Sequence, residues 1–566
     1  MEFIQKKTAD SAVEYFLPKA TAREISLAWD RFEGQLPECG FCESGLSCRD
    51  CLQGPCISHP FRDQNRLGVC GKDRDTLVVQ SLLRLVIKGT MACLDRVSDF
   101  AKGVEAGQIG PKDKGQADKI INEIKGVFEN GDSGVMKEFS GSLLEGWEAA
   151  GIRPEGIARD LFRASQKLEG GITGVEETLL WAFKSSLLGC MAQRLEGKLK
   201  TSVFGNTVPT ELEVNLGVLQ KERPNILFYG NFSPILKQKI AKAAQEKNVG
   251  IMGVCTDPLV PPYSFSPVTT CGSQEIPLMT GAVDLIVAGD QFVNPSLVNM
   301  AKDWKIALVA ADGLKRDQDL ETFAGQIVDQ SVKAFDNRGD IPKDIPKIKE
   351  SAVMGFSAEN VDVKKIVEAV KGGEIRGIGV FSGSNNVKYT QDNVVLTMAR
   401  EFLKNDILCI SEGEGSVCLA KYGLLDPEQQ ERHCGGGLRN LLSSIGGNIP
   451  AVIDWGITDF LLAMEGVEKK GLRDYPVIAC FPEASRTMEV AKAMWTVAMG
   501  VSTYFWPCLP VTGSQKTMKA LSDLCEDKFG AKLHVITEKL DPRAKADLCS
   551  RGLKGAVPMS GRSWEE

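Results

Sequence analysis

Six cysteines fall between residues 39 and 70 of this chain, in the runs Cys39-Gly-Phe-Cys42 and Cys48-Arg-Asp-Cys51-Leu-Gln-Gly-Pro-Cys56 and at Cys70. Thiols at that density read as a metal-binding segment. The separations between Cys48, Cys51, Cys56 and Cys70 suit a cubane iron-sulfur cluster, whose ligands come from one tight loop and one more distant residue. Structural zinc is the competing reading, because four-cysteine zinc sites also use C-x2-C, but they usually pair two such knuckles. Here the second half is a C-x4-C step and a distant Cys70, with Gly54-Pro55 turning the chain and Gly68 and Gly71 flanking the last cysteine. The spacing favours a 4Fe-4S cluster over zinc, and either metal over a disulfide framework.

The elements that must hold this segment follow from length and pattern. A chain of 566 residues has room for roughly three or four domains, each burying its own core. Its 43% hydrophobic and 25% charged residues are those of an ordinary globular protein. A net charge of -7 gives no electrostatic case for nucleic acid or an anionic membrane. No apolar run of membrane-spanning length and no signal-peptide core are read from the sequence. The seventeen cysteines are then expected to be reduced thiols in a cytoplasmic protein, six of them metal-bound, and an anaerobic host follows.

Helical periodicity dominates from residue 8 to about 204, with Leu77, Val78, Leu82, Leu85 and Val86 recurring at three and four. After Pro224 short β-branched runs alternate with helical segments. Strands are expected at 226–230, 249–255, 283–289 and 306–312, then at 375–383, 406–411, 451–456, 476–481 and 532–537. Such alternation predicts parallel sheets with crossover helices. The charged, proline-rich stretch 336–350 reads as a loop or linker. The expected fold is a multidomain α/β protein. A helical domain carrying the cysteine loop (1–205) precedes two Rossmann-like parallel-sheet α/β domains (206–350 and 351–566).

Several segments together resemble one family. CRDCLQGPC with VCGKDRDTLVVQSLLR, the junction FGNTVPTELEVNLGVL, the run SQEIPLMTGAVDLIV and the loop SGSNN are similar to the catalytic subunit of anaerobic nickel-iron carbon monoxide dehydrogenase. The resemblance covers about residues 30 to 515, and its cysteine-loop part is the most specific. It implies a homodimer with one helical and two Rossmann-like domains, and a 4Fe-4S relay cluster on Cys48, Cys51, Cys56 and Cys70. It also implies a second cluster on the dimer axis, with two cysteines from each subunit. One matches Cys39; the other commonly stands where this chain has Ser47, and Cys42 is offered instead. Two C-x-x-C pairs across a twofold axis supply four thiolates, enough for a 2Fe-2S or 4Fe-4S cluster. Free surface thiols are the alternative for this pair.

The same resemblance implies a nickel-iron cluster held by one histidine and five cysteines, and there this sequence departs from it. The histidine position falls in the loop at Asn231, the first cysteine on Cys255, the next on Phe292, then on Ser384, on or near Glu414, and finally around Ile457 or Thr458. One ligand in six survives. Phenylalanine and isoleucine cannot replace the soft donors that nickel chemistry needs, and a metal site requires its full ligand count. A nickel-containing cluster and CO oxidation are therefore not expected. A histidine relay that the family carries after the cysteine loop reads here Cys93, Arg96, Asp99 and Lys102. Arginine does not release its proton near neutral pH, so Arg96 and Asp99 are expected to pair along the helix at i, i+3.

Three functional classes follow. The first is an iron-sulfur electron-transfer protein that has kept the relay and axial clusters, served by a ferredoxin-like or other redox partner. The second is an oxidoreductase with a rebuilt iron-sulfur-oxygen cluster of the hybrid type, reducing a small substrate such as hydroxylamine. Its donors would be drawn from Cys255, Cys271, Cys409, Cys418, Cys434, Cys480 and Cys508 with Glu412, Glu414 and Ser384; the alternative is that these cysteines are small buried hydrophobes. The third is a non-catalytic assembly partner of another redox enzyme. The glycines Gly377, Gly379 and Gly383 are read as close packing of strand and loop, and Gly435-Gly436-Gly437 as a turn.

Overall fold

The computed structural model describes residues 6–553, apart from 60–64, 130–133, 312–318, 340, 384, 469–471, 474 and 537–539. Its N-terminal part is helical, and two helices dominate it: Arg74–Glu105 and Val175–Phe204. The first starts where the Asp73 side chain accepts the Thr76 N–H at 2.8 Å, satisfying one of the donors a helix start leaves open. Both helices carry apolar residues on nearly all sides, so both are buried. Arg74–Glu105 is long and apolar enough to cross a membrane by length and composition, contrary to expectation, yet 72% of its most apolar window is buried inside the protein.

Both α/β sheets form, and both are parallel throughout. The first runs Ala307–Ala310, Leu285–Ala288, Asn225–Tyr229, Gly250–Val254, Ser266–Thr269. The second runs Val452–Asp454, Ile407–Ser411, Gly377–Phe381, Val477–Phe481, Ser502–Phe505, Leu533–Val535. Numbered along the chain, the second order is 3-2-1-4-5-6 and the first is its five-stranded counterpart, which are Rossmann orders. All nine expected strands are present, each within the expected range or one residue outside it; residues 312 and 537, the last of two expected ranges, lie outside the described residues. Central strands such as Asn225–Tyr229, Gly377–Phe381 and Val477–Phe481 are buried at every position, as strands covered by helices on both faces must be.

Sequence patterning did not anticipate Ser266–Thr269, Ser502–Phe505, or the antiparallel pair Thr210–Val214 with Glu350–Met354. The second strand of that pair begins at Glu350, the last residue of the expected linker 336–350, and helix Leu320–Asn337 ends just inside its start. Residues 341–349 lack regular structure, but Ile345 and Ile348 pack against the core of the first sheet, so the stretch is anchored.

A third helix, Thr487–Ala498, follows strand Val477–Phe481 and packs on both long helices. Glycine notches admit it. A Cβ on Gly89 would stand 2.2 Å from the Thr487 carbonyl oxygen, and one on Gly189 would stand 2.9 Å from the Trp495 ring. A buried triad also ties the parts together: Lys421 Nζ lies 2.9 Å from Asp10 and 2.6 Å from Asp392, with all three side chains almost wholly buried.

Candidate functional site

The cysteine segment is a loop against the start of helix Arg74–Glu105. Cys48, Cys51, Cys56 and Cys70 line one small pocket with Gly54, Gly68, Asp50 and Lys72. A two-residue antiparallel ladder sets Cys48 opposite Cys56, and the Val69 N–H donates to Cys56 Sγ at 3.4 Å. Asp50 pins the loop to the helix, accepting from Arg84 Nε at 3.1 Å and Nη2 at 2.5 Å, with Lys72 Nζ at 3.7 Å. The pocket is lined by four thiols, backbone, one carboxylate, one ammonium and the Leu77 side chain, and the four thiols match a small thiolate-bound group.

Cys39 and Cys42 bracket the short helix Gly40–Glu43, and both are exposed. The Cys42 backbone N–H holds the Cys39 thiol below its usual range. Ser47 Oγ donates to Cys42 Sγ at 3.6 Å. Leu36, Leu52, Ile57, Leu67 and Val69 are exposed around the same segment. They make up five of the twelve large exposed apolar side chains among the described residues, so unpartnered apolar surface is concentrated here.

The second region is a cavity of about 930 Å³. It opens beyond the carboxyl ends of strands from both sheets, where ligands of such sheets gather. Asn231, Cys255 and Phe292 reach it from the first sheet; Ser382, Glu412, Asp454 and Arg486 reach it from the second. Helices Arg74–Glu105 and Val175–Phe204 wall it with Arg96, Glu196 and Lys200, and Thr487–Ala498 adds Lys492. The backbones of Asn231 and Gln291 bond across the central strands of the first sheet, N to O at 3.2 Å.

Charge lines this cavity where soft donors were sought. Arg96 pairs with Glu196 at 2.8 Å, Lys200 with Glu196 at 3.1 Å, and Lys200 with Asp257 at 2.8 Å. Burial pulls Glu196 and Asp257 up, but the cations beside them prevail and hold both at about 2. Glu412 accepts from Lys492, from Ser382 Oγ at 2.8 Å and from the Ile457 N–H at 2.9 Å. Burial raises Glu412 too, and Lys492 outweighs it, keeping the carboxyl below its usual range. Burial pushes Glu414 up to about 7 and Asp454 up to about 6. Just behind Thr256, Lys237 is buried and brought down to about 7, its Nζ donating to Thr256 Oγ1 at 2.6 Å.

Of the residues singled out from sequence, Asn231, Cys255, Phe292 and Glu414 do line the cavity. Thr458 is buried with an unpartnered Oγ1 and is not part of the lining, and Ile457 is buried in the core. Ser384 lies outside the described residues. Among the seven pooled cysteines, Cys255 and Cys271 alone reach the cavity; Cys409, Cys418, Cys434 and Cys480 are buried in the sheet and helix core. Cys508 stands half-buried beside Thr512. The gathering of thiols that a rebuilt cluster would need does not occur among the described residues, and the alternative of small buried hydrophobes holds for Cys409, Cys418, Cys434 and Cys480, because strand interiors face helices and only the loop after a strand faces the cavity.

Two further expectations are corrected. Arg96 pairs across to Glu196 on the facing helix, because a buried tertiary partner outweighs an i, i+3 neighbour worth a few tenths of a kcal/mol. The thiols are not all free: Cys255 and Cys271 are bonded to each other, Cα to Cα 5.6 Å. Residues that sequence reasoning missed are Glu196, Lys200, Asp257, Lys237 and Lys492. The available signal was charge inside otherwise apolar helical patterns, as in the run Leu195-Glu-Gly-Lys-Leu199.

Comparison with known proteins places the chain in a family and a fold. The sequence profile of the Prismane/CO dehydrogenase family matches residues 46–128 and 112–539. Carbon monoxide dehydrogenase 2 of Carboxydothermus hydrogenoformans is 28% identical over an alignment 617 positions long, covering 96% of each chain. Among solved structures, carbon monoxide dehydrogenase IV of the same organism superposes with a TM-score of 0.90 at 28% identity, covering 98% of this chain and 99% of that one. The nickel-free carbon monoxide dehydrogenase of Thermococcus sp. AM4 gives 0.87 at 27% identity, covering 97% and 96%.

Proposed function

The chain belongs to the Prismane/CO dehydrogenase family, and we propose that within it this protein is an iron-sulfur electron carrier that does not oxidise carbon monoxide. The observation that carries this reading is the convergence of Cys48, Cys51, Cys56 and Cys70 on one pocket. These four thiols would hold a 4Fe-4S cluster, which when bound supplies one-electron transfer. Asp50, Arg84 and Lys72 keep the loop in place, and the Lys72 ammonium offsets thiolate charge. Cys39 and Cys42 of two copies would share a second cluster across a dimer axis, 2Fe-2S or 4Fe-4S. Exposed apolar residues of the same segment, Leu36, Leu52 and Val69, support burial against that second copy.

The cavity does not fit the family's nickel-iron cluster. Of the positions matched to its ligands, Cys255 alone is a cysteine, and it is bonded to Cys271; Asn231, Phe292 and Glu414 stand at others, and no step of nickel chemistry is derived from them. We place the carrier in a cytoplasmic, anaerobic setting with a ferredoxin-like partner.

Anaerobically purified protein tests the reading. Iron and sulfide should be bound at about 10 to 12 irons per dimer for a relay cluster in each chain and one shared cluster. A reduced sample should show cluster paramagnetism, and CO should not reduce a viologen dye through it. Colourless, iron-free protein, or robust CO-dependent dye reduction, overturns it.

A further inference from the structure

We propose that Cys255, Cys271 and Glu414 hold a single thiophilic divalent cation in the cavity wall, with one coordination position open to the cavity beside Arg486. The three donors come from separate elements: the end of strand Gly250–Val254, the turn Cys271–Ser273 and the start of helix Gly413–Ala420. One ligand atom from each lies within 4.8 Å of the other two. Both sulfurs belong to buried residues.

The surroundings are those of a ligand set. Cys255 adopts a left-handed backbone at φ +53°, as does Phe292 at +67°, a conformation costly for side chains of this kind and retained mainly where the surroundings require it. Gln274 holds this corner: its Nε2 donates to Cys255 Sγ at 3.3 Å and to the Phe292 carbonyl at 2.7 Å, while its Oε1 accepts the Asn294 N–H at 2.9 Å. The Cys271 N–H donates to one Glu414 carboxyl oxygen at 2.8 Å. Outer hydrogen bonds of this type orient metal ligands.

Two thiolates and one carboxylate are too few for a cubane, which takes four thiolates. They match a mononuclear site of the zinc, cobalt or ferrous class, where three protein ligands leave the fourth position to water or substrate. Arg486 lies across Phe292, its Cζ 5.3 Å from the ring, and its Nε is buried without a hydrogen-bond partner. An anionic or strongly polarised small molecule at the open position would give that N–H an acceptor.

Metal and disulfide exclude each other. A dithiol reductant opens the Cys255–Cys271 bond by supplying two electrons and two protons, becoming a disulfide itself, and the cation then displaces the two thiol protons. This inference stands apart from the reading of the cysteine loop, and iron measured in the same samples reports on the loop separately.

The test is zinc titration of the reduced, full-length protein under anaerobic conditions, followed by dialysis and X-ray absorption at the zinc edge. One tightly held zinc per chain is expected, with two sulfur neighbours at about 2.3 Å. Cys271→Ser should lose that zinc, and Glu414→Gln should weaken it at least about tenfold. Zinc content equal in wild type and Cys271→Ser, or three to four sulfur neighbours, overturns the proposal. Should Cys271→Ser fail to fold, alkylation of wild type decides: zinc must protect Cys255 and Cys271, and equal labelling with and without zinc overturns it.

Discussion

The cysteine loop and the cavity are built in opposite ways. The loop draws its four thiols from 23 consecutive positions on the surface side of one helix, and a short ladder and one ion-paired aspartate hold it. The cavity draws its lining from strand ends of two sheets and from three helices, and buried and half-buried ion pairs hold it. A site made of neighbours in sequence keeps its donors or loses its function as a unit. A site assembled from many loops can exchange donors one at a time while the scaffold persists, as the proposed reading of Asn231, Phe292 and Glu414 requires.

The largest effect that would break this comparison is on metal. Cys56→Ser should remove most of the loop's iron, about four atoms per chain, while Cys255→Ala leaves loop iron unchanged. Elemental analysis and low-temperature spectra of the reduced protein check both, and equal iron loss in the two variants would mean that the regions are not independent.

Next in size is the triad joining the N-terminal segment to the cavity-bearing sheets. Lys421→Met leaves Asp10 and Asp392 buried without their cation and should cost about 3–5 kcal/mol. Denaturant unfolding measures it, and a loss under about 1 kcal/mol would show that the triad is not load-sharing.

A pH effect follows from Glu483, which is wholly buried and accepts from Asn385 Nδ2 at 3.2 Å and from the Val394 N–H at 3.1 Å. Burial, with Asp392 nearby, pushes it up to about 8 from 4.5. Between those values the folded state holds a proton that the unfolded state has released, so the stability this group contributes is full below pH 4.5 and declines as pH rises to about 8. Glu483→Gln should flatten that decline by up to about 3–4 kcal/mol between pH 5 and 8. Unfolding curves at several pH values with an unchanged slope would exclude Glu483 as its source.

The smallest effect belongs to the loop. Arg84→Ala removes the two-pronged contact to Asp50 at a half-exposed site, for about 0.5–1 kcal/mol in melting. It should also speed iron release to a chelator. Release at the wild-type rate would mean that backbone alone holds the loop.

Much of the fold was legible because its signals are local. The runs 226–230 and 476–481 are short, apolar and bounded by turn residues, and they form central strands. Ser502–Phe505 was missed because Ser502-Thr503-Tyr504-Phe505 mixes polar and aromatic residues, and its partners Val477–Phe481 and Leu533–Val535 make it a strand. The loop pocket was readable from spacing alone. Cys255 and Glu414 were readable as positions, but the nearness of Cys271 was not, since it stands 16 residues from Cys255 in a turn without a pattern.

The sequence by itself determined the two parallel sheets, the helical N-terminal part and the four-thiol loop, because each rests on periodicity or spacing among near neighbours. Only the tertiary structure decided which charges meet. Arg96 finds Glu196 one hundred positions away, and Lys492 finds Glu412 eighty positions away. Ion pairs and ligand sets depend on distances of a few ångströms between strand ends, and those distances exist only once the sheets have closed around their helices.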